Sequence, residues 1–125
     1  MANKKVLIVD DEPNIVLALR MLLEDEGYDI EYCYDGITGI ENLDGFRPDL
    51  VLLDVMMPGI DGFTLAKYIR GKNHLDHTNI IFLTAKGTKD DKMEGYDSGA
   101  ESYIVKPFDN DEIVTRVQEV LQILF

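Results

Sequence analysis

The stretch that decides the fold is Val6-Leu-Ile-Val-Asp-Asp-Glu12, four apolar residues running straight into acids. A run this short and this rich in β-branched residues reads as a strand buried on both faces, which is the habit of a parallel sheet. The same grammar recurs in Leu50-Val-Leu-Leu-Asp54 and in Tyr103-Ile-Val-Lys106, each an apolar run ending on a charge. In an open α/β sheet, ligands bind outside the carboxyl ends of the strands. Asp10, Asp11, Asp54 and Lys106 are therefore expected at one edge of one sheet. Carboxylates gathered there repel one another unless a cation joins them. Lys106 supplies one positive charge, and the rest is expected from a metal.

Helical patterns separate the strands. Pro13 suits the first turn of a helix, and Ile15, Ala18, Leu19, Leu22 and Leu23 follow at helical spacing before Gly27. Strand two, Asp29 to Tyr34, alternates as an edge strand would. A weaker helix carries Ile37, Ile40 and Leu43 and stops before Arg47-Pro48. After strand three and a Pro58-Gly59 loop comes a helix with Phe63, Ala66, Tyr68 and Ile69, then strand four, Ile80 to Thr84. A helix around Asp90 to Ser98 holds Gly95 and few apolar residues; glycine costs about 1 kcal/mol against alanine inside a helix, so this element is expected to be the least stable. Strand five, Ser102 to Lys106, precedes a last helix that begins near Asp109, with Glu112 completing a capping box and Ile113, Val117, Val120, Leu121 and Leu124 on its apolar face. The alternation predicts an α/β fold of (βα)5 type, a doubly wound parallel five-stranded sheet. The favoured strand order is the flavodoxin-like 2-1-3-4-5, taken from known five-stranded sheets, and it brings Asp10, Asp11, Asp54 and Thr84 together.

The 125 residues, 46% of them apolar, fit one domain over positions 1–125 with no second domain expected. A net charge of -12 argues against direct binding of nucleic acid or an anionic membrane. No apolar stretch approaches the ~20 residues of a membrane span, and the start of the chain leads into a strand without a secretory core. The single Cys33 cannot form an internal disulfide and is read as an apolar filler, in keeping with a cytoplasmic protein.

Oxygen ligands without histidine or thiolate select Mg²⁺, Mn²⁺ or Ca²⁺, and a site open to water and phosphate favours Mg²⁺. Asp11, Asp54 and a backbone carbonyl are the expected direct ligands. With the charge balanced by a divalent ion and Lys106, a phosphoryl group is no longer repelled, and Asp54, alone at the tip of the central strand, can attack it as a nucleophile. Taken singly, Asp10, Asp11 and Glu12 can be mere caps, and Thr84 and Lys106 mere strand ends. Their convergence on one crevice is what favours a site.

Val9-Asp-Asp-Glu-Pro13, Asp54-Val-Met-Met-Pro-Gly-Ile-Asp-Gly62, Thr84-Ala85 and Gly99-Ala-Glu-Ser-Tyr-Ile-Val-Lys-Pro-Phe108 together resemble a response-regulator receiver domain of two-component signalling, over nearly the whole chain. The resemblance implies that Asp54 is a phosphoacceptor charged by a sensor histidine kinase or phosphotransfer protein. It implies Mg²⁺ held by Asp10, Asp11, Asp54 and the backbone carbonyl of Met56. Thr84, Ala85 and Lys106 would contact the phosphoryl group, and Thr84 with Tyr103 would form a switch. From the residues alone, Pro107 reads as a helix-start device, and as a candidate for a cis bond that would aim Lys106 at the site. Met56 and Lys86, two residues after Asp54 and Thr84, would tune the phosphorylated lifetime. The output would pass through the face formed by the fourth predicted helix, strand five and the last helix, to an effector or a C-terminal output domain. Lys92 and Glu112 match an ion pair of winged-helix-regulator dimers, although Ser102 removes an acid that would meet Arg116. The domain is expected to be no enzyme beyond its own phosphorylation and dephosphorylation. The alternative is a Mg²⁺-dependent phosphohydrolase of the haloacid-dehalogenase kind, which would want a second acid where Met56 stands. A flavin or nucleotide module would want a phosphate loop where Asp10-Asp-Glu12 stands.

Overall fold

In the computed structural model, residues 3–85, 97 and 99–121 are described. Five strands, β1 (Lys5–Val9), β2 (Asp29–Cys33), β3 (Leu50–Asp54), β4 (Asn79–Thr84) and β5 (Ser102–Val105), form one sheet in the order β2-β1-β3-β4-β5. Every pairing is parallel. The described helices are α1 (Pro13–Asp25), α2 (Gly36–Phe46), α3 (Gly62–Arg70) and α4 (Asn110–Leu121), with a 3-10 turn at Asn73–Leu75. The parallel sheet expected from the alternation, and the strand order expected from known five-stranded sheets, are the ones observed. Of the helix expected around residues 90–98, all but Asp97 lies outside the described residues.

Strand periodicity divides the core in two, because successive side chains point to opposite faces. Leu7, Val9, Val51, Leu53, Ile80 and Phe82 pack beneath α2 and α3. Val6, Ile8, Leu50, Leu52, Ile81 and Leu83 pack against α1 and α4 through Leu19, Leu23, Ile113 and Val117. This is why the central strands read as unbroken apolar runs. Strand β2, at the sheet edge, keeps only Cys33 buried, so the filler reading of that thiol holds. Asp109 accepts the Glu112 amide at 2.8 Å, as the expected cap requires.

Two helix faces differ from expectation. In α1 the buried stripe is Val16, Leu19 and Leu23, flanked by Ile15 and Leu22, while Ala18 is exposed. In α2 the inward face is Gly36, Gly39 and Leu43, and Ile37 is 60% exposed. The cause is close approach. A Cβ on Gly39 would meet Leu65 and Val9 at 3.4 Å, and one on Gly36 would meet Ile60 at 3.0 Å. The helix therefore presents its smallest residues to its neighbours and turns Ile37 outward.

Candidate functional site

Strands β1 and β3 are neighbours in register, with Val9 opposite Leu53, so the residues that follow them emerge side by side. The chain turns sharply after β1, held by the Glu12 amide donating to Asp10 Oδ1 at 2.9 Å. That turn folds Asp11 and Glu12 back over the strand ends. Asp10, Asp11, Glu12 and Asp54 each bring a carboxylate oxygen within 4.8 Å of the others. Asp10 and Asp54 are buried, Asp11 is half-buried and Glu12 is exposed.

Lys106 follows β5, two strands from β3. Its amide donates to the Thr84 carbonyl at 2.8 Å, and its peptide bond to Pro107 is cis, the second of the two readings of that proline. The side chain spans the end of β4: Nζ lies 2.8 Å from Asp10 Oδ2, 3.6 Å from Asp54 Oδ2 and 3.7 Å from Glu12 Oε1. Thr84 is fully buried where β4 ends, and Ala85 beside it is exposed. The Met56 amide donates to Asp54 Oδ1 at 3.3 Å, while its thioether side chain faces solvent. Below the site a row of rings runs inward, Phe63 to Phe82 at 5.1 Å and Phe82 to Tyr103 at 6.1 Å. Tyr103 is buried.

The loop after Asp54 is anchored by Gly62, the first residue of α3, whose amide donates to the Val55 carbonyl at 2.9 Å. A Cβ at Gly62 would collide with the backbone of Asp54 and Val55, so only glycine lets α3 start this close to the site. Asp61 caps that helix by accepting the Thr64 amide.

Burial pushes the Asp54 carboxyl up to about 7, and the Asp10 charge adds to the rise; Lys106 and the Met56 amide pull the other way without cancelling it. Burial alone would lower the Lys106 ammonium, but its hydrogen bond to Asp10 and the charges of Asp10, Asp54 and Glu12 outweigh that and hold it above the ordinary lysine range. The pocket thus carries more negative charge than Lys106 can balance. An all-oxygen donor set with this surplus fits a hard divalent cation such as Mg²⁺.

Of the residues singled out from sequence, Asp10, Asp11, Asp54 and Lys106 converge, with Thr84, Ala85 and Met56 around them. Lys86 and Lys92 lie outside the described residues. Three contacts were not foreseen. Glu12 belongs to the acidic group instead of capping α1, where its side chain makes no capping bond. Arg70, at the end of α3, donates to the carbonyls of Gly99 (2.9 Å) and Thr78 (2.7 Å) and to Glu101 (2.8 Å), and Glu101 also accepts the Ile80 amide. Arg116 donates to Ser102 Oγ at 2.6 Å, so it is engaged within its own chain.

Residues 6–118 match the family model of the response regulator receiver domain. The chain is 40% identical over 118 residues to the DNA-binding dual master transcriptional regulator RpaA of Synechocystis sp., covering 94% of this chain and 49% of that protein. It is 42% identical to the response regulator ArlR of Staphylococcus saprophyticus, covering 94% and 52%. It thus spans about half the length of the curated relatives it matches. Among solved structures, the Vibrio cholerae chemotaxis protein CheY4 superposes with a TM-score of 0.91 at 34% identity, over 95% of this chain and 99% of that one. The Klebsiella pneumoniae RstA receiver domain gives 0.88 at 28% identity, over 95% and 99%. A parallel sheet in this order, an acidic pocket at its carboxyl edge and a family match over nearly its whole length make this chain a receiver domain of the response regulators of two-component systems.

Proposed function

We propose that Asp54 accepts a phosphoryl group from a sensor histidine kinase or phosphotransfer protein, and that the domain relays its phosphorylation as a change of shape. The observation that carries this reading is a buried Asp54 carboxylate beside Asp10 and Asp11, with the Lys106 ammonium 3.6 Å away. An Asp54 oxygen attacks phosphorus, the bond to the donor's nitrogen breaks with its electron pair going to the departing imidazole, and an acyl phosphate results. Asp10, Asp11, Asp54 and the Met56 carbonyl would hold Mg²⁺, which when bound neutralises the phosphoryl oxygens. Lys106 leaves Asp10 for the new phosphate, Thr84 turns its hydroxyl toward it, and small Ala85 leaves it room. Tyr103 follows Thr84, altering the face formed by β5 and α4.

The whole of residues 1–125 is read as one such domain, acting on no substrate besides its own phosphate and working in the cytoplasm. No helix among the described residues is long and apolar enough to cross a membrane. The relatives are about twice as long, and RpaA is a DNA-binding regulator; by analogy the output is carried by a segment or partner outside this receiver. A phosphohydrolase role is disfavoured by the exposed thioether of Met56 where a second acid would be needed. The test is intact mass after incubation with a small phosphodonor and Mg²⁺. Asp54→Asn should lose the phosphoryl adduct entirely while keeping its fold, and an undiminished adduct on that variant would overturn the assignment.

A further inference from the structure

Glu12 stands apart from the other three acids of the pocket. Its side chain is 59% exposed, against 1% and 5% for Asp10 and Asp54, so it forms the lip and they form the floor. At 3.7 Å from Lys106 Nζ it is too far for a hydrogen bond, and Lys106 is already bonded to Asp10. Its backbone carbonyl starts α1 by accepting the amides of Ile15 and Val16, while its carboxylate caps nothing. The side chain therefore acts at the pocket mouth through its field, and its charge can be removed without disturbing the helix.

We propose that Glu12 is a charge filter on the phosphodonor: a carboxylate at the entrance that disfavours dianionic small donors relative to donors whose leaving group carries positive charge, such as a protonated phosphoimidazole. This rests on Asp54 being the phosphoacceptor. The filter works on approach, before the bond to phosphorus changes. The same negative charge strengthens attraction of a divalent cation to the floor. When Lys106 moves onto the phosphate, Glu12 loses the nearest cation among the described residues and the field of Glu12 at the entrance grows.

The experiment compares the parent with Glu12→Gln, which keeps the shape and removes the charge, and Glu12→Asp, which keeps the charge. Acetyl phosphate serves as the dianionic donor and phosphoramidate, near neutral pH, as the singly charged one, both at saturating Mg²⁺. For a unit charge several ångströms away in a half-wet site, the acetyl phosphate rate should rise about three- to tenfold in Glu12→Gln. The phosphoramidate rate should rise less, the difference should shrink as salt is added, and Glu12→Asp should keep the parent's donor ratio. Calorimetric Mg²⁺ titration, which needs no phosphorylation, should show weaker binding in Glu12→Gln. An unchanged donor ratio, or one indifferent to salt, overturns the filter. If neither donor modifies the parent, the phosphoacceptor reading fails instead, and with it the filter's premise, whatever the Mg²⁺ titration shows of Glu12's field.

Discussion

Lys106 is hydrogen-bonded to Asp10 and not to Asp54: its Nζ is 2.8 Å from the first carboxylate and 3.6 Å from the second. The cation is thus held by the neighbour of the residue it is to serve. Asp54, left with burial and the Asp10 charge, is only partly ionised near neutrality.

From this follows a pH dependence. The Asp54 carboxyl stands at about 7 in the folded chain against 3.8 for an unperturbed one, so the folded state holds its proton more tightly than the unfolded state. The associated stability is complete below about pH 4 and is lost as pH rises to about 7. In metal-free protein at pH 8, Asp54→Asn should therefore be more stable than the parent by about 1 to 3 kcal/mol, with the gap closing toward pH 4. Urea denaturation of both proteins across that range is the check; a gap that does not vary with pH would contradict the shift.

Mg²⁺ should stabilise the parent, since a ligand of the native state alone adds RT ln(1 + [L]/Kd), about 1.4 kcal/mol per tenfold excess. Asp11→Ala should abolish the response while leaving the metal-free melting temperature equal or higher, because one repelling carboxylate has gone. Thermal melts with and without Mg²⁺ decide this, and a parent indifferent to the metal would refute the site.

The phosphorylated lifetime should be set in part by Met56. A thioether is a weak acceptor and no useful donor, so it does not orient the water that must attack phosphorus in line. Met56→Asn should shorten the lifetime severalfold with little change in Mg²⁺ affinity, since the metal would use the backbone carbonyl. Dephosphorylation time courses at saturating Mg²⁺ test it, and an equal or longer lifetime would show that Met56 does not govern access of water.

Arg70 joins α3 to the residues entering β4 and β5 by four hydrogen bonds to three acceptor groups, two of the bonds going to the Glu101 carboxylate. Arg70→Met keeps the aliphatic stem and strands two carbonyls, so a loss of about 2 to 3 kcal/mol is expected. Chemical denaturation measures it; a change under half a kcal/mol, roughly the scatter of neutral surface substitutions, would mean water replaces the guanidinium.

If phosphorylation drives self-association through the β5 and α4 face, Arg116 must be released from Ser102 to meet a partner. Ser102→Ala should then tighten the phosphorylated dimer severalfold. Sedimentation with and without a phosphoryl mimic reads this directly, and monomers throughout would discard dimerisation.

The core strands were legible because burial on both faces leaves no polar interruption between Val6 and Val9 or between Leu50 and Leu53. The floor of the site was legible for the same reason, since a charge ending such a run must emerge at the sheet edge. Glu12 was hidden because its reach depends on the turn fixed by its own amide on Asp10. The inward face of α2 was hidden because Gly36 and Gly39 carry no side chain for a hydrophobic pattern to register. Arg70 and Glu101 are 31 positions apart, and nothing local in either segment announces the pairing.

The rings of Phe63, Phe82 and Tyr103 are mutually supporting, and only the last of them can leave without dismantling a helix start or a central strand. An outward Tyr103 strips Phe82 of a neighbour and opens a void the size of a ring, a cost of the same kind as truncating a buried side chain. If Tyr103 is the proposed switch, the unphosphorylated form should therefore seldom sample that arrangement spontaneously. On the proposed switch, the packing of three aromatic side chains would suppress spurious firing, and a smaller residue at Phe82 would be expected to make the receiver noisy before it made it unstable.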